Sequence, residues 1–351
     1  MAYTTINKGS SYFNTLLYTG NGSARTITGV GFQPDWVWVK DRTSANSHYL
    51  YDVLRGNNLN LFSNDTSAEV NVTTGQNGGG VGSQASDGFT IVAGNVNTNN
   101  VNTNNNLYAS WNWLANGAGV SNTAGTVTST VSANTTSGFS IVSYTNPASG
   151  SPFTVGHGLG VAPKMIIVKT RNVAQTWGVW QTSIGFGNYL RLDSTAATAA
   201  ANLVTATSST TFSTYQNHHA TSDTLIAYCF AEVKGYSKIG SYTGNGNADG
   251  TFVYTGFKPA FFLGKNSSNG SENWFIFDNK RDPFNTAFRQ LFPNTSGAEG
   301  TNAAQNIDIV SNGFKMRSVE GRFNESGSTI IYMAFAENPF VTSTQIPTTA
   351  R

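Results

Sequence analysis

Four histidines, a repeated carboxylate and a repeated lysine are the groups in this sequence that could do acid–base, metal or ion-pair chemistry. His218-His219 could supply one pair of metal ligands. Neighbours on a strand point to opposite faces, however, and no Asp or Cys cluster accompanies them, so they read as loop residues. His157 lies between glycines at a turn and reads as structural, and His48 opens an aromatic stretch. Asp52 and Asp278 occupy matching positions, with Gln181 at the third. A glycosidase needs two carboxylates about 5–9.5 Å apart across one bond, and no obvious second acid accompanies either. These acids are expected to end a strand and accept backbone or lysine hydrogen bonds. Lys40, Lys169 and Lys265 are expected to mark the exposed end of a core strand or to pair with that acid. Asn64-Asp65 and Asn247 with Asp249 gather oxygen ligands, but fewer than a convincing calcium loop requires. Gly78-Gly79-Gly80 is followed by no Lys-Ser or Lys-Thr, so it is no phosphate loop. No catalytic residue, cofactor or metal is expected.

Sugar binding is the chemistry with more material. Aromatic platforms among Asp, Asn and Gly loops suit it, and Trp36, Trp38, Trp177, Trp180 and Trp274 are set between such loops. Large alternating aromatics also fill sandwich cores, and that reading is favoured for each.

The elements that carry these residues are written three times. Gly31-Phe32-Gln33-Pro34-Asp35-Trp36-Val37-Trp38-Val39-Lys40 returns as Gly160-Val161-Ala162-Pro163-Lys164-Met165-Ile166-Ile167-Val168-Lys169. It returns again as Gly256-Phe257-Lys258-Pro259-Ala260-Phe261-Phe262-Leu263-Gly264-Lys265. Turn chemistry at Gly-x-x-Pro before a β-branched and aromatic run predicts a buried strand in each copy. Tyr18-Thr19-Gly20-Asn21-Gly22 precedes the first, a degenerate Tyr144-Thr145-Asn146 the second and an intact Tyr242-Thr243-Gly244-Asn245-Gly246 the third. A second aromatic strand follows each lysine (His48 to Asp52, Trp177 to Gln181, Trp274 to Asp278), its aromatics alternating onto one face. Then come Leu61-Phe62, Leu190-Arg191 or Leu291-Phe292, a polar loop, a strand at Phe89, Phe212 or Phe314, and a closing apolar strand.

The period of roughly a hundred residues is domain size. The chain therefore divides into 1–117, 118–235 and 236–351, each read as an antiparallel β-sandwich of jelly-roll or lectin-like type, and the class is all-β. A single helical turn is allowed near 283–290. The asparagine tract 94–106 reads as a surface loop or an extended edge, and the Ser/Thr/Ala stretch 194–211 as a variable loop. Residues 1–16 read as a lead-in docking on the first unit through Tyr12-Phe13, and 341–351 as a tail or arm.

Composition narrows the function classes. Only 11% of the 351 residues are charged, about half the usual share, while 38% are hydrophobic and 12% aromatic. The net charge of +2 with scattered Lys and Arg gives no basic stripe for nucleic acid. No window nears the roughly eighteen apolar residues of a membrane span, and the polar start Met1-Ala2-Tyr3-Thr4 predicts no secretory signal. The single Cys229, on an apolar strand, reads as a buried small hydrophobe.

The succession YFNTLLYTGNG, GVGFQPDWVWVK, VGHGLGVAPKMIIVK, IAYCFAEVKGYSKIGSYTGNG, FVYTGFKPAFFLGK and IIYMAFAENPF resembles a family of tandem-repeat virion proteins of tailed bacteriophages, marine and cyanobacterial ones especially. The resemblance covers essentially the whole chain. It implies a tail-fibre-like structural protein with a lectin-like sandwich fold, made in the host cytoplasm and located in the virion. The partners it implies are other virion proteins, further copies of the chain in a homo-oligomer such as a trimer, and a host-surface glycan. Neither nucleic acid nor membrane insertion is expected. A capsid-exterior decoration protein is the first alternative, and a glycan-cleaving enzyme using Asp52 or Asp278 the second.

Overall fold

The computed structural model describes residues 4–73, 79–92, 101–147, 152–215, 220–339 and 341. His218, His219, Gly78 and 342–351 lie outside the described residues.

The chain is an all-β protein of antiparallel sheets. Its first large sheet runs Phe13–Thr19, Leu107–Trp113, Trp36–Asp41, Tyr49–Asp52, Leu59–Phe62, Val70–Asn71 in spatial order. Arg25–Thr28, Gly88–Val92 and Gly80–Ala85 form a small sheet packed on it. The same order recurs through Phe139–Thr145, Thr224–Phe230, Met165–Thr170, Gly178–Gln181 and Asn188–Arg191, with a small sheet of Phe153–Gly156, Thr211–Thr214 and Ala206–Thr207. It recurs again through Ser237–Thr243, Thr329–Ala336, Pro259–Asn266 and Phe275–Asp278, with Phe252–Tyr254, Gly313–Met316 and Ile307–Val310. Below, first, second and third sandwich mean these three pairs of sheets.

Both faces of the large sheets are buried. Val37, Val39 and Tyr51 face their own small sheet, while Trp36, Trp38 and Leu50 face away from it. The faces turned away meet one another in one core drawn from all three sandwiches. The alternating aromatics of the second strand share one face in the first and third copies, where Tyr49 with Tyr51 and Phe275 with Phe277 line the sandwich cores, but not in the second, where Trp177 enters the common core and Trp180 the sandwich core; Trp274 also enters the common core. All seven tryptophans are buried.

The common core has pseudo-threefold order. Trp113, Phe230 and Phe335 sit at matching register opposite Trp36, Met165 and Phe261. Their ring centroids form a triangle with sides of 6.5, 6.0 and 6.1 Å, every pair edge to face. This is the geometry that ring quadrupoles favour. Trp111, Tyr228 and Met333 make the next layer, then Ala109, Ile226 and Ile331.

Several local expectations are corrected. No helix forms at 283–290, because Asp282 draws the N–H groups of Phe288 and Arg289 onto its carboxylate and holds an irregular loop. The tract 94–106 is no mere surface loop where it is described: Val101 and Asn102 are buried. Within 194–211, Leu203 and Val204 close the second sandwich core. Phe13 begins the first strand and packs on Phe261 and Phe335 of the third sandwich as well as on Trp113.

Candidate functional site

The three lysines share the face of Trp36 and Trp38, so each ends in the common core rather than in solvent. Nor do they pair with Asp52 or Asp278. Lys40 Nζ donates to the carbonyls of Asp41 (2.5 Å) and Ser44 (3.4 Å), and Lys265 to those of Asn266 (2.6 Å) and Asn269 (3.1 Å). Lys169 reaches Gln175 O at 2.6 Å and, in the first sandwich, Thr66 O at 2.9 Å. Each ammonium thus holds a hairpin loop closed over the core. Burial lowers all three pKa values to about 8, against partial compensation from acids nearby.

Asp52 and Asp278 are buried in identical settings. Asp278 Oδ2 accepts from Arg281 Nε at 2.6 Å, while its Oδ1 caps the N–H groups of Lys280 and Arg281. Asp52 binds Arg55 and the N–H groups of Leu54 and Arg55 in the same way. Each carboxylate also takes one bond from the next sandwich: Tyr228 Oη to Asp52 at 2.7 Å and Trp111 Nε1 to Asp278 at 3.1 Å. Gln181 replaces the acid and Ile184 the arginine in the second copy, and the amide donates to Gly240 O at 3.0 Å in the third sandwich. Neither aspartate faces a groove.

Three further sets of bonds close the seams in a ring. Trp177 Nε1 donates to Phe62 O (2.8 Å), Trp274 Nε1 to Arg191 O (2.7 Å), and His48 Nε2 meets Phe292 O at 3.1 Å. The Trp38 indole can only donate, and it points at His48 Nδ1 at 2.9 Å, so His48 carries its proton on Nε2. Asn64, Asp193 and Asn294 each accept the backbone N–H at the start of that strand, from His48, Trp177 and Trp274. The backbone N–H groups of Glu69, Thr198 and Glu299 reach Arg171 O, Ser267 O and Arg42 O at 2.7, 2.9 and 2.9 Å. Glu69 and Glu299 then clasp Arg171 and Arg42 with two bonds each, while bridging back to Arg55 and Arg281.

The repeated Tyr-Thr-Gly-Asn-Gly is a clamp. Tyr18 and Tyr242 donate to Val101 O and Phe323 O, both at 2.7 Å, and the next residues, buried Asn102 and Asn324, accept the N–H of Asn21 and Asn245. A Cβ at Gly20 or Gly244 would lie 1.9 or 2.3 Å from a backbone oxygen, so only glycine lets the strands meet.

The remaining reactive groups are similarly occupied. His157 accepts from Leu159 N and contacts Ser208 O, and burial lowers its pKa. Cys229 is buried and its thiol is pushed up by desolvation. Asn64 is used as above, Asp65 caps Ser67, Asn247 caps Asp249, and Asp249 pairs with Lys315 and Arg317. Among the described residues no three His, Cys, Asp or Glu side chains gather as metal ligands. No helix there is long and apolar enough to cross a membrane.

What faces solvent with recognition chemistry is the outer side of the third small sheet. Phe252 and Tyr254 point outward, 46% and 62% exposed, on either side of buried Val253. Lys315 lies opposite Phe252 on the next strand, and it and Arg317 tie Asp249 and Asp308 into one ionic cluster. Beside Tyr254 opens a cleft of about 470 Å³ walled by Glu232, Lys234, Ser237, Lys238 and Thr255. The sequence reading passed over both aromatics. The signal was available: register aligns them with Thr26 and Thr28 in the first copy and with Thr154 and Gly156 in the second.

No curated protein and no solved structure matches the chain. A family described as a domain of unknown function, DUF7483, matches residues 8–339, from the first turn to the end of the last sandwich. That span takes in all three sandwiches and both intact copies of the Tyr-Thr-Gly-Asn-Gly clamp, and the chain belongs to the DUF7483 family.

Proposed function

We propose that this chain is a structural protein of a tailed-phage virion, placed at the distal tail or fibre, where it presents exposed loops to a host-surface glycan. The three copies are read as products of duplication. The observation that carries this reading is the closed ring of sandwiches. The Asp52–Arg55 and Asp278–Arg281 pairs and the buried lysines brace the scaffold from within, while Trp177, Trp274 and His48 join the copies across the seams, which suits a rigid part whose work is done at its surface. The phage-protein resemblance of the sequence supplies the setting. Weak binding per copy is strengthened when many copies meet one surface.

Immunogold labelling of intact virions tests it. Label at the tail tip or fibres supports the reading. Label spread over the head sinks it and favours a capsid decoration protein with the same fold.

A further inference from the structure

The seam between the first and third sandwiches carries polar side chains at two positions that the scaffold fills elsewhere with isoleucine and valine. Register sets Thr15 level with Ile141 and Ile239, both of which lie in the common core. One residue beyond the matched Asp52, Gln181 and Asp278 stand Val53, Thr182 and Asn279, and Val53 packs against that core. Thr15 is 4% and Asn279 7% exposed, yet neither Thr15 Oγ1 nor Asn279 Oδ1 meets a hydrogen-bond partner among the described residues. Unpaired polar atoms in a buried setting cost stability, and the apolar residues of the sister positions would remove that cost. Both side chains line one cleft of about 120 Å³, with buried Phe13 and Ala336 beside them and exposed Lys280 and Asn338 at its rim.

The two unpaired atoms define what can fill the cleft. Asn279 Oδ1 only accepts, so the occupant must donate to it, which an anion cannot do. A divalent cation calls for several oxygen ligands, carboxylates among them. No three Asp, Glu, His or Cys side chains gather among the described residues, and Lys280 lines the same cleft. A neutral ligand with adjacent hydroxyls answers both atoms, since one hydroxyl donates to Asn279 while its neighbour exchanges a bond with Thr15. The volume is about ten times the roughly 10–15 Å³ that one water requires, which is room for one sugar ring and not for a chain.

We infer that this cleft at the first–third seam binds a single neutral pyranose, the free end of a glycan. Its hydroxyls bond Asn279 Oδ1 and Thr15 Oγ1, and its less polar face turns towards Phe13 and Ala336. This rests on the glycan-recognition reading above and names its site and ligand class.

The test is saturation-transfer NMR and calorimetric titration of the full chain with the methyl glycosides of glucose, galactose and mannose and with glucuronate, followed by a panel of bacterial polysaccharides. The expected result is binding of at least one methyl hexoside, in preference to glucuronate. T15I/N279V, which installs the residues found at Ile141 and Val53, should weaken it about tenfold or more. Its urea midpoint should equal or exceed the parent's, because two unpaired polar groups are gone. A lowered midpoint would make the pair a structural part of the seam and overturn the site. T15V, which removes the hydroxyl alone, should weaken binding in the same direction. Equal affinity in both variants overturns the site while leaving glycan recognition standing. So does a polysaccharide that binds parent and T15I/N279V alike when no methyl hexoside binds. Tighter binding of glucuronate overturns the neutral assignment. No binding to any glycan tested overturns both the site and the recognition reading, and leaves the cleft to water.

Discussion

Trp274 of the third sandwich, just before the strand Phe275–Asp278, donates its indole N–H to the carbonyl oxygen of Arg191 in the second at 2.7 Å, and Trp177 and His48, at the matching positions, make the corresponding contact at the other two seams. The seams are thus equivalent parts of one ring. Removing the donor leaves a part-buried carbonyl without its indole partner and opens space in the common core. W274F should therefore cost about 1–3 kcal/mol, and urea unfolding should remain one transition at lower midpoint. A separate early transition for the third sandwich alone would contradict the shared core.

Asp278→Asn tests the buried ion pair. Arg281 then keeps its charge without a full counter-charge, and Trp111 loses a strong acceptor. Breaking such a pair costs about 3–5 kcal/mol. D278N should show that loss in chemical denaturation, and D52N should match it through Arg55 and Tyr228. A D278N variant as stable as the parent would show the carboxylate to be free for other work.

The buried lysines set an alkaline signature. Their folded pKa values of about 8 lie below the unfolded value near 10.4. Between those limits the unfolded chain holds more protons, so stability rises with pH from about 8 towards 10. Below 8 the full cost of the buried charges is present. Cys229, kept protonated by burial, opposes this as one group against three, so the measurement belongs in a C229A background. Above about 10 stability should fall again, because burial raises Tyr51, Tyr108 and Tyr332 to about 12. Urea midpoints at pH 8 and 9.5 should differ in that sense, and K265M should reduce the difference by about a third.

The acid limb belongs to His48 and His157. Burial lowers both, and Lys40 and Arg281 add repulsion at His48, whose Nδ1 is already accepting from Trp38. Below about 6.5 the unfolded chain takes up protons that the folded chain refuses, so stability should decline from there as pH falls. An H48N/H157N variant, whose amides can accept and donate, should flatten the denaturation midpoints between pH 7 and 5.5.

A fragment of residues 236–351 should not fold alone. Phe261, Trp274 and Phe335 are covered by the other sandwiches. Dye-binding and amide-exchange measurements on the soluble fraction should report exposed apolar surface and weak protection.

The strands were legible because local pattern decides them: Pro34, Pro163 and Pro259 mark where each apolar run begins, and Gly20 and Gly244 where the chain must pass close to itself. The lysines were misread, since a charged residue ending a strand ordinarily marks water, and only the neighbouring loop carbonyls make burial tolerable. The common core was hidden by the repeat length, which suggests independent domains. Yet Trp36–Asp41 shows no polar face, and that absence already implies a second covering layer. Partners such as Arg42 and Glu299 stand 257 residues apart, beyond any local signal. Asn64, Asp193 and Asn294, each three residues after its leucine, were visible in the repeat and missed.

An assembly of three identical chains must write every surface substitution three times, once on each subunit. Here the three positions around the pseudo-axis have separate codons. A threonine pair on one outer face can become an aromatic pair on another while the ring beneath, through Trp113, Phe230 and Phe335, stays as it was. The molecule keeps the stiffness of a symmetric body and is free to change one side at a time.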